Sequence, residues 1–277
     1  MIKIDSSIID FYTQSSEETR LQTGLGPLEF LRNKELISRY LSLKPLHIAD
    51  VGGGTGHYAH WLSSLGHHVT MIDPVEKHIQ QATKRAKRSN PGFYVKLGEA
   101  QALPLETSSI DVVILHGPLY HLLTESERLS ALKEAERVLK LGGVILGFAI
   151  THAAFTLAAL QNGMIHHNSI FDMCQEELGT GIHNPPSDFP GILAQAYFHK
   201  PADLSFEFEQ AGFQTKGIFA VEGIAWLDAK FFESWSTPIK KQRLLQLTRL
   251  IETDLNLICF SPHMMIVAEV DHGDYLC

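Results

Sequence analysis

Asp50-Val51-Gly52-Gly53-Gly54-Thr55-Gly56 follows a short apolar run, residues 46–51. It precedes a segment, residues 57–65, with Tyr58, Trp61, Leu62 and Leu65 on one helical face. Strand, glycine turn and helix in that order form the ligand-binding corner of an open α/β sheet. Glycine suits the turn because the backbone there takes φ values that other residues resist, and because a ligand can pack on bare backbone. Asp73 ends the next apolar run, residues 68–72, at about the distance of 20 residues at which an acidic residue reaches a ribose. A carboxylate there can accept from both ribose hydroxyls. Two other readings stay open at this point. Gly54, Gly56 and Ala59 also fit the dinucleotide fingerprint of an NAD-dependent reductase, and a glycine turn can serve packing alone.

Outward from this corner, the pattern repeats. Residues 93–97 and 110–115 read as strands. Thr124 and Glu127 form a capping box for a helix running to about Lys140, ended by Gly142 and Gly143, and residues 144–150 read as a fifth strand. Residues 202–211 suggest a helix, 214–221 a sixth strand, 240–257 a helix and 263–270 a closing seventh strand. The alternation predicts a doubly wound, mostly parallel seven-stranded sheet covered on both faces. Residues 1–45 carry helical spacing (Leu28, Leu31, Leu36, Tyr40) halted by Pro45, and are expected to form an N-terminal helical lid on a domain of residues 46–277. Two stretches, 151–200 and about 222–240, break the rhythm after strands five and six and read as substrate-side insertions.

Composition narrows the function. Of 277 residues, 44% are apolar and 19% charged, which supports a packed core and argues against global disorder. A net charge of −8 argues against a nucleic-acid backbone as main partner. The basic run Lys84 to Arg88 closes a helical segment and reads as a solvated face at its C-terminus. No run of about 18 apolar residues suggests a membrane span, and the start, MIKIDSSIIDFY, lacks the pattern of a signal peptide. Three scattered cysteines, Cys174, Cys259 and Cys277, suggest free thiols and a cytoplasmic setting. Fifteen histidines raise the question of a metal. There is no H-E-x-x-H and no cysteine pair, and His57 with His60 is the one same-face pair, so no metal is expected.

Three further motifs stand in register with the glycine turn: Gly98 to Pro104 (GEAQALP) after the third strand, Asp111 to Leu122 (DVVILHGPLYHL), and Arg137 to Leu146 (RVLKLGGVIL). In this order they resemble the motif series of the class I S-adenosylmethionine-dependent methyltransferases, nearest the UbiE-like small-molecule enzymes, over about residues 46–150. Tyr12 to Glu35 resembles the N-terminal signature of a bacterial subgroup. The resemblance implies a Rossmann-like methyltransferase fold and S-adenosylmethionine as cofactor. It implies a pocket in which Gly52 and Gly54 touch the methionine part, Asp73 holds the ribose, Glu99 and Ala100 lie beside the adenine and His116 lines the pocket below the sulfonium. Asp50, placed to order the turn and face the cationic end of an aminoacyl ligand, and Gly53, Gly56 and Pro74 complete the expected cofactor-binding set. The third motif usually carries aspartate where this chain has Glu99.

Methyl transfer from a sulfonium needs alignment and exclusion of water more than acid–base chemistry. Tyr120 and His121 follow the fourth strand and face the expected crevice. His121 is a candidate base near neutral pH, or a pocket-wall residue; Tyr120 shapes the channel or packs. Tyr12 and Arg32 in the lid are candidates for cofactor contact. Arg32 suits a methionine carboxylate through its fork, or an ion pair with Glu35 or Glu29. The acceptor pocket is expected from the insertions, through Phe155, Met164, Phe171, Tyr197, Phe198, Trp226, Phe231 and Phe232, with His166, His167 and His183; a homodimer interface is the alternative use of these aromatics. An RNA methyltransferase and a non-catalytic cofactor-binding protein are the competing functions.

Overall fold

The computed structural model describes residues 6–14, 17–189 and 191–270. Cys277 and the first five residues, which figure in the sequence reading, lie outside them. Three helices lead: α1 (Ser6–Gln14), α2 (Glu17–Arg20) and α3 (Gly26–Ser38). The sheet region then runs β1 (His47–Val51), α4 (His57–Ser64), β2 (His68–Asp73), α5 (Glu76–Arg88), β3 (Tyr94–Leu97), β4 (Ile110–Leu115), α6 (Pro118–His121), α7 (Glu125–Val138) and β5 (Leu139–Ile150). After it come α8 (Ala154–Asn162), α9 (Asn168–Thr180), β6 (Ile182–His183), β7 (Ala196–Tyr197), α10 (Pro201–Gln210), β8 (Phe213–Ala220), α11 (Phe231–Ser236), α12 (Pro238–Ile251) and β9 (His263–Val270).

The seven-stranded sheet has the order β3-β2-β1-β4-β5-β9-β8. The β1 to β5 pairings are parallel, and β9 is antiparallel to both of its neighbours. The sheet is doubly wound, as the alternation predicts, but the last strand in sequence lies inside it and β8 forms the edge. Alternate residues of β4 serve two cores, as a strand buried on both faces requires. Val113 and Leu115 pack with Leu132, Ala135 and Phe208 on one side; Val112 and Ile114 pack with Ile48, Leu62 and Val267 on the other. Strand order reverses between β1 and β4. Their C-terminal ends therefore border the crevice where ligands bind in such sheets.

Local chemistry sets the element ends. Thr124 caps α7: its hydroxyl accepts from the Glu127 N–H while the Glu127 carboxylate accepts from the Thr124 N–H. That helix stops at Val138, short of the glycines expected to end it. Leu139 pairs with Ile110 and Val144 with Val112, so the residues between form an irregularity within β5, and Gly142 supplies a φ of +74° there. Helix α5 begins at Glu76, because Asp73 Oδ1 accepts from the Val75 N–H and holds the chain extended before the first turn.

The two insertions pack beside the sheet in small separate cores. In the first, Phe155 and Phe198 lie against Ile150, Ala154 and Ala196, and Phe198 stacks on His183. In the second, Trp226 and Phe231 join Leu28 of α3 and Leu245 of α12 in a separate core. This core and its ion pairs hold α3 against the sheet domain.

Candidate active site

One cavity runs along the C-terminal edge of the sheet, and the glycine turn forms its floor. Gly52, Gly53 and Gly54 line it. Gly52 has a φ of +73°, and a Cβ there would meet the His116 carbonyl at 2.0 Å, so the β1 turn and the β4 loop approach as only glycine allows. Gly54 has a φ of +57°, and a Cβ on it would have only Glu17 Cγ nearby, at 3.7 Å. Its bare backbone faces open space. Gly56 does not line the cavity: it caps α4, and a Cβ there would press on Phe93 at 2.9 Å. Its place in the expected ligand set is therefore corrected to a packing role.

Asp73 is where the sequence reading puts it, at the end of β2 on the cavity wall, but its carboxylate already works for the protein. Oδ2 accepts from the Gly54 N–H at 2.9 Å; Oδ1 accepts from the Val75 N–H at 2.9 Å and meets His78 Nδ1 at 3.0 Å. The residue thus ties the glycine turn to the start of α5. Pro74, Glu99 and Ala100 line the same end. Asp50 is completely buried and lies beneath the turn, outside the cavity. Its Oδ1 meets His116 Nδ1 at 2.9 Å and its Oδ2 has no hydrogen-bond partner among the described residues. The carboxylate therefore acts through His116 and not by facing a ligand. His116 lines the cavity, stacked between Tyr58 and Phe148, with its Nε2 buried and without a partner among the described residues.

The N-terminal helices cover this edge. Ile8, Tyr12, Glu17, Arg20, Leu21, Glu29 and Asn33 all line the cavity. Tyr12 Oη lies 2.7 Å from His121 Nε2 and also hydrogen-bonds Tyr120. Burial pushes the His121 pKa down to about 3, so its imidazole is neutral at ordinary pH. Burial also pushes the Tyr120 hydroxyl up from its usual range.

Arg32 is not in the cavity. It is fully buried on the far side of α3, where Nη1 donates to Glu35 at 2.6 Å, Nη2 to Glu252 at 2.5 Å and Nε to the Val221 carbonyl at 3.0 Å. The expected cofactor contact is corrected to an ion-pair network that clamps α3 to α12. The lid arginine that does reach the cavity is Arg20. Its two terminal nitrogens donate to Glu29 at 2.6 and 3.0 Å and its Nε to Glu17 at 2.7 Å. The Arg20 guanidinium overrides the effect of burial and holds the Glu29 pKa near 2.

A further correction concerns the insertions. None of their aromatics, nor His166, His167 or His183, lines the cavity. The first insertion supports it from behind, where Tyr120 packs on Ile150 and Phe198. The far wall instead comes from Phe148 and His263, at the ends of β5 and β9. His263 Nδ1 lies 2.7 Å from Glu222 Oε1, while Glu222 Oε2 accepts from Ser261 Oγ at 3.0 Å and from the His263 N–H at 2.9 Å. Burial works against a charge on His263, and the Glu222 and Glu29 carboxylates outweigh it and raise its pKa, with Arg20 opposing. Glu29, Glu222 and His263 bring donor atoms within 4.8 Å of one another. Both carboxylates are already engaged, Glu29 by Arg20 and Glu222 by Ser261 and His263. No spacing in the sequence announces this group.

Residues 48–143 match the family described as a methyltransferase domain. The 2-methyl-6-phytyl-1,4-hydroquinone methyltransferase 2, chloroplastic, of Oryza sativa subsp. japonica is 31% identical over 137 residues, 47% of this chain and 36% of that protein. The ubiquinone biosynthesis O-methyltransferase of Methylocella silvestris is 35% identical over 112 residues, 36% of this chain and 44% of that protein. The chain thus spans less than half the length of these two relatives. Among solved structures, a SAM-dependent methyltransferase from Methanosarcina mazei matches with a TM-score of 0.58 at 20% identity, over 84% of this chain and 95% of that one. That likeness is one of fold. Among the described residues, no helix is long and apolar enough to cross a membrane.

Proposed function

We propose that this chain, which belongs to the class I S-adenosylmethionine-dependent methyltransferase family, methylates a small-molecule acceptor carrying a hydroxylated ring. The observation that carries the reading is the bare Gly52–Gly54 backbone beside Asp73, which forms the floor of an acidic cavity and lies in the matched domain. S-adenosylmethionine is the cofactor, and it supplies a methyl group on a sulfonium with a neutral leaving group. The walls suit it. Gly54 leaves the floor open, the wall carries the carboxylates of Asp73, Glu17, Glu29 and Glu99, and His116 Nε2, His121 Nδ1 and Asn33 Oδ1, buried atoms without a partner among the described residues, belong to residues on the cavity.

In this reading Asp73 holds the ribose while ordering the turn, Pro74, Glu99 and Ala100 flank the adenine, and the glycines with His116 hold the methionine part. Arg20 takes the part first expected of Arg32. Three of its five N–H groups are engaged by Glu17 and Glu29, which leaves two for a carboxylate. Helices α1 to α3 act as the lid that excludes water, with Tyr12 joining lid to site. A group that binds a proton only near pH 3 accepts one poorly at neutral pH, so His121, with Tyr120, orients the acceptor. The hydroxylated ring is supported by the hydroquinone in the name of the Oryza relative. The free thiols of Cys174 and Cys259 support a cytoplasmic setting.

Calorimetry with S-adenosylmethionine, S-adenosylhomocysteine and NAD tests the cofactor, and release of S-adenosylhomocysteine across a panel of hydroquinones tests transfer. Tight NAD binding with no affinity for the methionine cofactors would sink the reading.

A further inference from the structure

We propose that His263 is the base that takes the acceptor's hydroxyl proton and that Glu222 is its positioning residue, at an acceptor subsite on the β5/β9 end of the cavity. The inference rests on the methyltransferase reading above and adds the residue that reading lacks. Strand order gives the placement. The groups assigned to the cofactor stand on β2, β1 and β4 and on the loop after β3, with Arg20 reaching in from α2. Along β3-β2-β1-β4-β5-β9-β8, the part of the cavity edge beyond β4 is bordered by Phe148 and His263. Strands lie about 4.8 Å apart, so β9 stands two strand spacings from β4, room enough for a ring beside the cofactor.

The chemistry follows from the hydrogen bonds. Glu222 is 1% exposed, and one oxygen is held by Ser261 Oγ and the His263 N–H. Its other oxygen faces His263 Nδ1, and an ionised carboxylate can only accept, so Nδ1 carries the proton. The lone pair of the neutral ring is then on Nε2, and the ring is 24% exposed on the cavity wall. As the acceptor oxygen bonds to the methyl carbon, the carbon–sulfur pair goes to sulfur and the hydroxyl proton passes to Nε2. The resulting imidazolium lies against Glu222. The charged groups around His263 are Glu222 from the segment after β8, Glu29 from α3 and Arg20 from α2. His116 has the same arrangement with Asp50, but its Nε2 is buried under Tyr58 and Phe148 at β4. His121 lacks any carboxylate partner among its hydrogen bonds.

The test compares wild type, His263→Gln and Glu222→Gln, using S-adenosylmethionine with methylhydroquinone for turnover. In a second measurement, the imidazole resonance of His263 is followed in protein saturated with S-adenosylhomocysteine. His263→Gln is expected to lower kcat by about 100- to 10,000-fold, the usual worth of a base, with cofactor affinity unchanged. In wild type, turnover rises with pH as His263 loses its proton. Glu222→Gln removes the carboxylate that favours the charged ring, so this limb moves to lower pH. Adding methylhydroquinone is expected to shift the His263 resonance. Normal cofactor affinity with undiminished kcat in His263→Gln overturns this proposal and leaves the methyltransferase reading standing; loss of cofactor binding in wild type would instead strike that reading. If Glu222→Gln fails to fold, His263→Gln still decides, and if methylhydroquinone is not turned over, an unmoved His263 resonance overturns the subsite.

Discussion

Replacing Asp73 by alanine is expected to damage two properties at once, and the hydrogen bonds say by how much. The carboxylate receives the Gly54 and Val75 N–H groups and meets the His78 ring, all within 3.0 Å, on a residue 4% exposed. A hydrogen bond to a charged group contributes about 1.5–3 kcal/mol, and a buried donor left without an acceptor costs about 1–3 kcal/mol. Water from the cavity can replace part of the loss at Gly54. A destabilisation of about 3–5 kcal/mol follows, concentrated in the link between the glycine turn and α5. The same substitution removes an acceptor for the ribose and is expected to weaken S-adenosylmethionine binding by about 1.5–3 kcal/mol, roughly 10- to 150-fold in Kd. Urea denaturation gives the first quantity; calorimetry at a temperature where the variant stays folded gives the second. Asp73→Asn sharpens the test, because its NH2 group must face one of the donors the carboxylate accepted from, so it should recover only part of either loss. Lost stability with unchanged Kd would show that Asp73 only builds the corner and would refute the ribose assignment. If neither quantity moves, the reasoning about the turn is wrong as well.

The two lid arginines should separate by their effect on the cofactor. Arg32→Ala empties a fully buried site but leaves Glu252 with Arg39 and Glu35 with Arg249, so it is expected to cost about 1–3 kcal/mol of stability with cofactor affinity unchanged. Arg20→Ala leaves the buried Glu29 carboxylate without its guanidinium, is expected to lower the melting temperature too, and weakens S-adenosylmethionine affinity about tenfold by calorimetry; a loss of affinity in Arg32→Ala alone would restore Arg32 as the cofactor contact. Two glycines should separate likewise: Gly52→Ala puts a methyl 2.0 Å from the His116 carbonyl and is expected to yield little folded protein, whereas Gly54→Ala meets no protein atom closer than 3.7 Å and should fold, with about 1 kcal/mol of backbone strain, but bind cofactor worse.

The corner around Asp50 to Gly56 was legible because local physics dictates it: a strand, a turn that needs positive φ at Gly52, Gly54 and Gly56, and a helix with one apolar face. The α7 boundary was legible in part. The capping box at Thr124 and Glu127 marks its start unambiguously, but Gly142 and Gly143 mislead at its end, since glycine serves a β irregularity as readily as a helix stop. The interior place of β9 could not be read at all. Nothing local to residues 263–270 tells whether the strand joins the edge or enters between β5 and β8; packing against both neighbours decides it.

The site divides along the same line. Residues on the turn and on the loops after β2, β3 and β4 reach the cavity because the sheet forces strand ends to one edge, so Asp73, Pro74, Glu99, Ala100 and His116 could be placed from sequence order. Lid residues could not, because a helix shows one face to the cavity and another to the domain, and which face is which depends on the partner. In the stretch Tyr12 to Glu35, Arg20 and Arg32 are equally plausible forks. Glu252 and Glu35 capture Arg32, and Glu29 turns Arg20 toward the cavity. The partner that decides Arg32 is Glu252, just past α12 and 220 residues along the chain, whereas Arg20 is turned by Glu29 on α3, nine residues away. The same reason hides His263. Its chemistry depends on Glu222, 41 residues away on the segment after β8, and on a strand crossing that brings the start of β9 to the C-terminal end of β5. The second insertion, expected to wall the acceptor pocket, instead packs Trp226 and Phe231 on Leu28 of the lid helix. Its contribution to the site is therefore indirect: it fixes the face that α3 turns toward the cavity, and with it the positions of Glu29 and Asn33.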